Sequence, residues 1–100
     1  MRYANFKQEL VAAVLDSRGE TPPELRRAAL QHAPIPGPLA GYVDKVRRHA
    51  YQVTDADVAA LQQAGHSDDS LFEVTVAAAV GAALYRLERG LAAVRGQEPD

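Results

Sequence analysis

Three side chains of this sequence are candidates for proton-transfer chemistry: His49, Asp57 and Glu73. An imidazole changes charge near neutral pH, so a histidine beside a carboxylate can take up and return a proton. His49 lies seven residues after Tyr42 and three after Val46, on the apolar stripe of the helix expected there. Its plainer reading is a core or interface histidine with one hydrogen bond. Asp57 is four residues before Leu61 and leans inward, where burial would raise its pKa, as is common in acid–base groups. It is also the third residue after Thr54, where acids close helix caps, and capping is the stronger reading. Glu73 follows Phe72 at the front of an apolar run. It either faces a pocket between the third, fourth and fifth helices or decorates a first turn. The hydroxyls of Tyr51 and Tyr85 could meet a ligand or simply anchor helix ends with a wet tip.

Other chemistries are excluded or unsupported. The chain has no cysteine, so disulfides, thiolate catalysis and cysteine metal sites are impossible. His32 and His66 complete the histidines, and no His-x-x-x-His or Glu-x-x-His pattern exists. No glycine-rich phosphate loop is present either, and the expectation is a protein without metal or cofactor. The net charge is −2. Lys45, Arg47 and Arg48 form too short a run for a phosphate-binding footprint and read as a solvated helix face. The segment 54–80 has a helix-turn-helix outline, but its second helix opens on Asp68 and Asp69, which would repel phosphates. No nucleic-acid partner is expected.

Five helical segments position these groups, and the fold class expected is an all-α, five-helix bundle over residues 1–95 with a disordered tail at 96–100. The first segment, 3–16, places Tyr3, Phe6, Leu10, Ala13 and Val14 on one face. The second opens at Thr21-Pro22-Pro23-Glu24, where Thr21 and Glu24 form a capping-box pattern, and turns Leu25, Ala28, Ala29 and His32 inward. The prolines of 33–38 end it. The third, 39–51, carries the stripe Leu39, Tyr42, Val43, Val46, Ala50 and Val53. The fourth starts at the Thr54 cap, turns Val58, Leu61 and Ala64 inward and stops at Gly65, a left-handed cap. The fifth starts at Ser67-Asp68-Asp69 and runs to about residue 95.

The centre of that last helix, 74–85, has no charge on any side. A helix that is apolar all round must be buried all round, and four short helices cannot cover it. A second copy of the chain is therefore expected against it, with Ala77 and Gly81, and Ala78 and Ala82, permitting close approach. Leu84, Leu87, Leu91 and Val94 form a narrow seam beyond. The run is shorter than the roughly 20 residues that span a bilayer, and the charged N-terminus is not a secretory signal. A cytoplasmic protein with no membrane partner is expected.

The stretch YVDKVRRHAYQVTDADVAALQQAGHSDDSLFEVTVAAAVGAALYRL resembles the core of the alkylhydroperoxidase D-like superfamily, which includes carboxymuconolactone decarboxylase. The similarity lies in the order of a helix, D-V-A-A-L-Q-Q-A-G, H-S-D-D-S-L-F-E-V and a small-residue helix, and covers about half the chain. Redox members carry Cys-x-x-Cys-x-x-x-His before this turn. Counted back from Gly65, those positions hold Ala50, Val53 and Asp57, so thiol peroxidase chemistry is absent. The resemblance implies assembly as a dimer, trimer or hexamer and a ligand pocket near His49, Val53, Asp57 and Glu73. The expected function is a non-redox oligomeric scaffold or small-ligand-binding protein. The alternative is a cofactor-free, decarboxylase-like lyase using His49 with Asp57 or Glu73.

Overall fold

Ser67 accepts a hydrogen bond from the Ser70 backbone N–H, with two acids in the turn behind it, and so opens the longest element of the chain. The computed structural model describes residues 2–16 and 19–96. Five α-helices occur among them, α1 (Arg2–Asp16), α2 (Pro23–Leu30), α3 (Leu39–Arg48), α4 (Asp55–Gln63) and α5 (Asp68–Val94), with a 3-10 turn at Ala50–Gln52 and no strand. The all-α expectation holds. The tail at 97–100 lies outside the described residues.

α5 is the axis on which α2, α3 and α1 are laid. α2 packs most extensively against it, α3 next, and α1 touches both α2 and α5. Its inner side, Leu71, Val74, Ala77, Ala78, Gly81, Ala82 and Leu84, is buried. Of these, Leu71, Val74, Ala77 and Ala78 join Ala29, Leu30, Leu39 and Val43 in one core. The small residues therefore serve a partner within the same chain rather than a second copy. At Gly81 the reason is steric. A β-carbon there would stand 2.1 Å from the Leu30 carbonyl oxygen and 2.9 Å from its carbon. Helix propensity alone would favour alanine at this position by about 1 kcal/mol. The clash is with backbone, so α2 must shift, at about 1–3 kcal/mol for an overpacked core. Gly81→Ala is expected to lower the urea midpoint. A raised midpoint would mean that α2 sits further from α5 than described.

Several sequence expectations are corrected by the packing. α3 ends at Arg48 rather than at residue 51, because His49 adopts φ −144°, ψ 55° and the chain tightens into the 3-10 turn. That turn redirects the chain into the extended residues preceding α4. His49, Ala50 and Tyr51 are consequently exposed, off the apolar stripe. In α1 the buried residue is Val14, flanked by Val11 and Leu15, whereas Phe6 and Ala13 face outward. His32 falls beyond α2 with φ 60° and is exposed. Ala64 is exposed as well, leaving Leu61 as the buried residue of α4. Thr21 does not cap α2: Pro22 occupies the N-cap without a side-chain bond, and the Thr21 hydroxyl is used elsewhere. Gly65, at φ 105°, is the left-handed residue after α4 that its position predicts.

The outer side of α5 is apolar and is not covered by the described residues. Phe72, Val76, Ala79, Ala83, Leu87, Gly90 and Val94 succeed one another in steps of four, three, four, four, three and four residues, opposite the buried side. Phe72 is 70% and Val94 84% exposed. The expected seam thus divides, with Leu84 turned into the core and Leu87 and Val94 turned out. By length and composition α5 could cross a membrane, with mean hydropathy 1.4 over its most apolar eighteen residues, of which 39% are buried. It is a longer apolar element than the run 74–85 singled out from the sequence.

Candidate functional site

The three proton-transfer candidates are held by three separate sets of partners. Asp57 closes a capping box: its carboxylate accepts from the Thr54 N–H at 2.9 Å, and its own N–H donates to the Thr54 hydroxyl. Lys45 reaches across from α3 and donates to both carboxylate oxygens at 3.0 Å. The Thr54 N–H first, and Lys45 after it, hold the carboxyl below its ordinary pKa. This is opposite in direction to the rise that inward burial would produce. His49 has an exposed ring whose Nδ1 lies 3.5 Å from the Tyr51 hydroxyl, the two rings meeting edge-on at 5.9 Å. The structure thus brings His49 and Tyr51 together. Val53 is half-buried in the link between the 3-10 turn and α4.

Glu73 turns toward the connection between α1 and α2, not toward a pocket among α3, α4 and α5. It accepts from the Thr21 hydroxyl at 2.6 Å, the Thr21 N–H at 2.9 Å and the Glu20 N–H at 2.8 Å. Arg26 approaches it to 3.5 Å. The Thr21 hydroxyl first, with the two backbone donors and Arg26, lowers its pKa. Each of these contacts favours the charged form. A depressed folded pKa supplies stability that is present above the unfolded value, near 4.5, and is lost as pH falls through the folded one. Glu73→Gln is expected to flatten the acid limb of stability against pH between neutrality and the onset of acid unfolding. A variant curve parallel to that of the native chain would exclude Glu73 from that limb.

Two hollows outside these groups meet at one pair of rings. The larger, about 510 Å³, is lined by Val11, Leu30 and Leu84, and also by Lys7 and Glu88. Lys7 Nζ lies 2.6 Å from Glu88, and the Tyr3 hydroxyl donates to the same oxygen at 2.6 Å. Burial, and then Glu88, push the Tyr3 phenol up to about 12. The second hollow, about 380 Å³, is cationic and lined by Arg47, Arg48 and Arg86 with Asp44. His32 and Tyr85 border both, their ring centroids 6.0 Å apart.

Arg47 departs from the solvated face that its charge run implies. It is half-buried instead, and its guanidinium donates to the carbonyls of Ala28 and Ala29 at 3.0 and 2.9 Å. These are among the last carbonyls of α2, which have no partner within the helix. Arg86 in turn donates to the Arg47 carbonyl at 3.0 Å. The signal available in the sequence was a basic last turn in α3 following the proline link that ends α2. What it did not contain was the direction in which that link folds back.

No protein-family model, no curated protein and no solved structure matches the chain.

Proposed function

We propose that this chain is a non-redox helical scaffold whose copies assemble through the outer face of α5. The observation that carries the reading is the uncharged stripe from Phe72 to Val94, about 33 Å long at the helical rise. Contiguous apolar surface of this kind marks an interaction face.

The stripe also supports one arrangement. Its spacing reads the same in both directions about Ala83, as a two-fold antiparallel pairing of identical helices requires. In that register Phe72 meets the second copy's Val94, Val76 its Gly90 and Leu87 its Ala79, so each bulkier residue faces a smaller one. Antiparallel pairing sets the acidic end of α5, Asp68 and Asp69, beside the end bearing Arg89 and Arg95, whereas parallel pairing would align like charges. The resemblance to alkylhydroperoxidase D-like proteins adds an expectation of assembly, and the order α4, Gly65, α5 is in keeping with it.

α5 spends its inner side on α2 and α3, and its polar groups Glu73 and Thr75 have partners in the chain. This supports a core helix rather than a membrane span. Sedimentation velocity at micromolar concentration is expected to show a dimer or a multiple of it. A monomer at all accessible concentrations would overturn the reading.

A further inference from the structure

We propose that the cationic cleft between α3 and α5 binds the carboxylate or phosphate head of a small amphiphilic molecule, whose apolar chain lies in the adjoining groove. This deepens the small-ligand side of the expected function and does not rest on self-assembly.

The charge balance is the first observation. The chain as a whole is net negative. Yet Arg47, Arg48 and Arg86 converge on this one cleft, and the carboxylate among its described lining residues is Asp44. Asp44 is already engaged with Arg48, at 3.1 Å on an exposed edge, where such a pair is worth little. A surplus of positive charge is left facing the hollow. His32 registers the same field: burial, then Arg47 and Arg48, lower its pKa.

Preorganisation is the second. Arg47 is mounted on the carbonyls of Ala28 and Ala29, and Arg86 on the carbonyl of Arg47. Side chains fixed before binding lose less freedom when a ligand arrives. The planar guanidinium fork also matches a carboxylate or phosphate edge. Arg47 Nε is buried and has no hydrogen-bond partner among the described residues.

The third is the join between the hollows. His32 and Tyr85 border both, so a molecule whose head reaches the arginines can pass its tail over the two rings toward Val11, Leu30 and Leu84. A polar head with an apolar chain matches this division, whereas a free inorganic anion would leave the groove empty.

The test uses octanoate, octyl phosphate and octanol, followed by amide chemical shifts of the native chain and by calorimetry. Saturable binding of octanoate or octyl phosphate is expected, with shifts at His32, Tyr85 and Arg86; which of the two binds more tightly assigns the head group. Arg48→Gln with Arg86→Gln is expected to weaken binding by at least about tenfold, since bonds to charged groups are individually strong. Arg47 is left in place because it caps α2. Unchanged circular dichroism verifies that the double variant folds. The proposal is overturned if octanol binds as well as the anions, if the double variant binds as the native chain does, if shifts cluster on Phe72 and Val76 instead, or if no ligand saturates at millimolar concentration. Sedimentation of the same samples reads assembly separately, so failure of either proposal leaves the other standing.

Discussion

Ala83→Glu is expected to convert the assembled protein to a monomer while leaving its helix content unchanged. Ala83 is exposed in the single chain and lies opposite the buried side of α5, so the new side chain meets solvent there. The intrinsic cost of glutamate for alanine in a helix is a few tenths of a kcal/mol. At a two-fold axis the same change places two carboxylates against each other. Like charges at about 4 Å, with an effective dielectric constant near 20, repel by about 4 kcal/mol. That is roughly a thousandfold in the dissociation constant, before the cost of desolvating either group. Sedimentation velocity with circular dichroism on the same samples separates the two effects. Tyr51→Ala, on the 3-10 turn away from α5, should sediment as the native chain does. A particle that stays assembled with Glu at 83 would place the interface on another face.

Arg26→Met is expected to produce the largest loss of stability of any single substitution considered. Arg26 is 4% exposed. Its Nε donates to the Val14 carbonyl at 2.9 Å, and its terminal nitrogens reach the carbonyls of Leu15 and Thr21 at 3.0 and 2.7 Å. The same guanidinium meets the Thr21 hydroxyl, which itself holds Glu73 of α5. One side chain thus ties the end of α1, the α1–α2 connection and α5 together. Methionine restores much of the volume but none of the donors. Val14, Leu15 and Thr21 would keep carbonyls without their partner, and Glu73 would lose its nearby cation. Breaking a buried charged network by removing one member costs about 3–5 kcal/mol. Against a total of roughly 5–15 kcal/mol for a domain, that is a large share. Urea unfolding should show a midpoint displaced far more than for Glu73→Gln, because the amide oxygen of glutamine can still accept from Thr21. Equal displacement of the two variants would show that the carboxylate, rather than the guanidinium, is the centre of the network.

Much of the helical outline was legible because it is written in local terms. Thr54 with Asp57, and Ser67 with Asp68 and Asp69, are caps formed within one turn, and both occur as the sequence implies. Gly65 terminates α4 for an equally local reason. Thr21-Pro22-Pro23-Glu24 carries the same kind of signal, yet there the capping hydroxyl went to Glu73, fifty-two residues away. The competing partner was a carboxylate brought in by α5, and nothing in the neighbouring sequence announces it. His49 illustrates the same limit from the other side. Its spacing from Tyr42 and Val46 fits a stripe only if α3 continues through residue 49, and the helix ends at Arg48, one residue short of that.

By itself the sequence determined that the protein is helical, that it lacks thiol chemistry, and that its last helix carries more apolar surface than ordinary solvent exposure favours. Those properties follow from residue type, short-range capping and period, none of which depends on distant parts of the chain. Only the tertiary structure decided which side of α5 is spent within the chain, through the contact of Gly81 with Leu30, and which side is left over. It alone directed Glu73 to Arg26 and Thr21, and turned Arg47 from a surface charge into the cap of α2. The reason is that each of these pairings joins residues far apart in sequence, and a side chain's partner is set by where the connecting turns aim the helices.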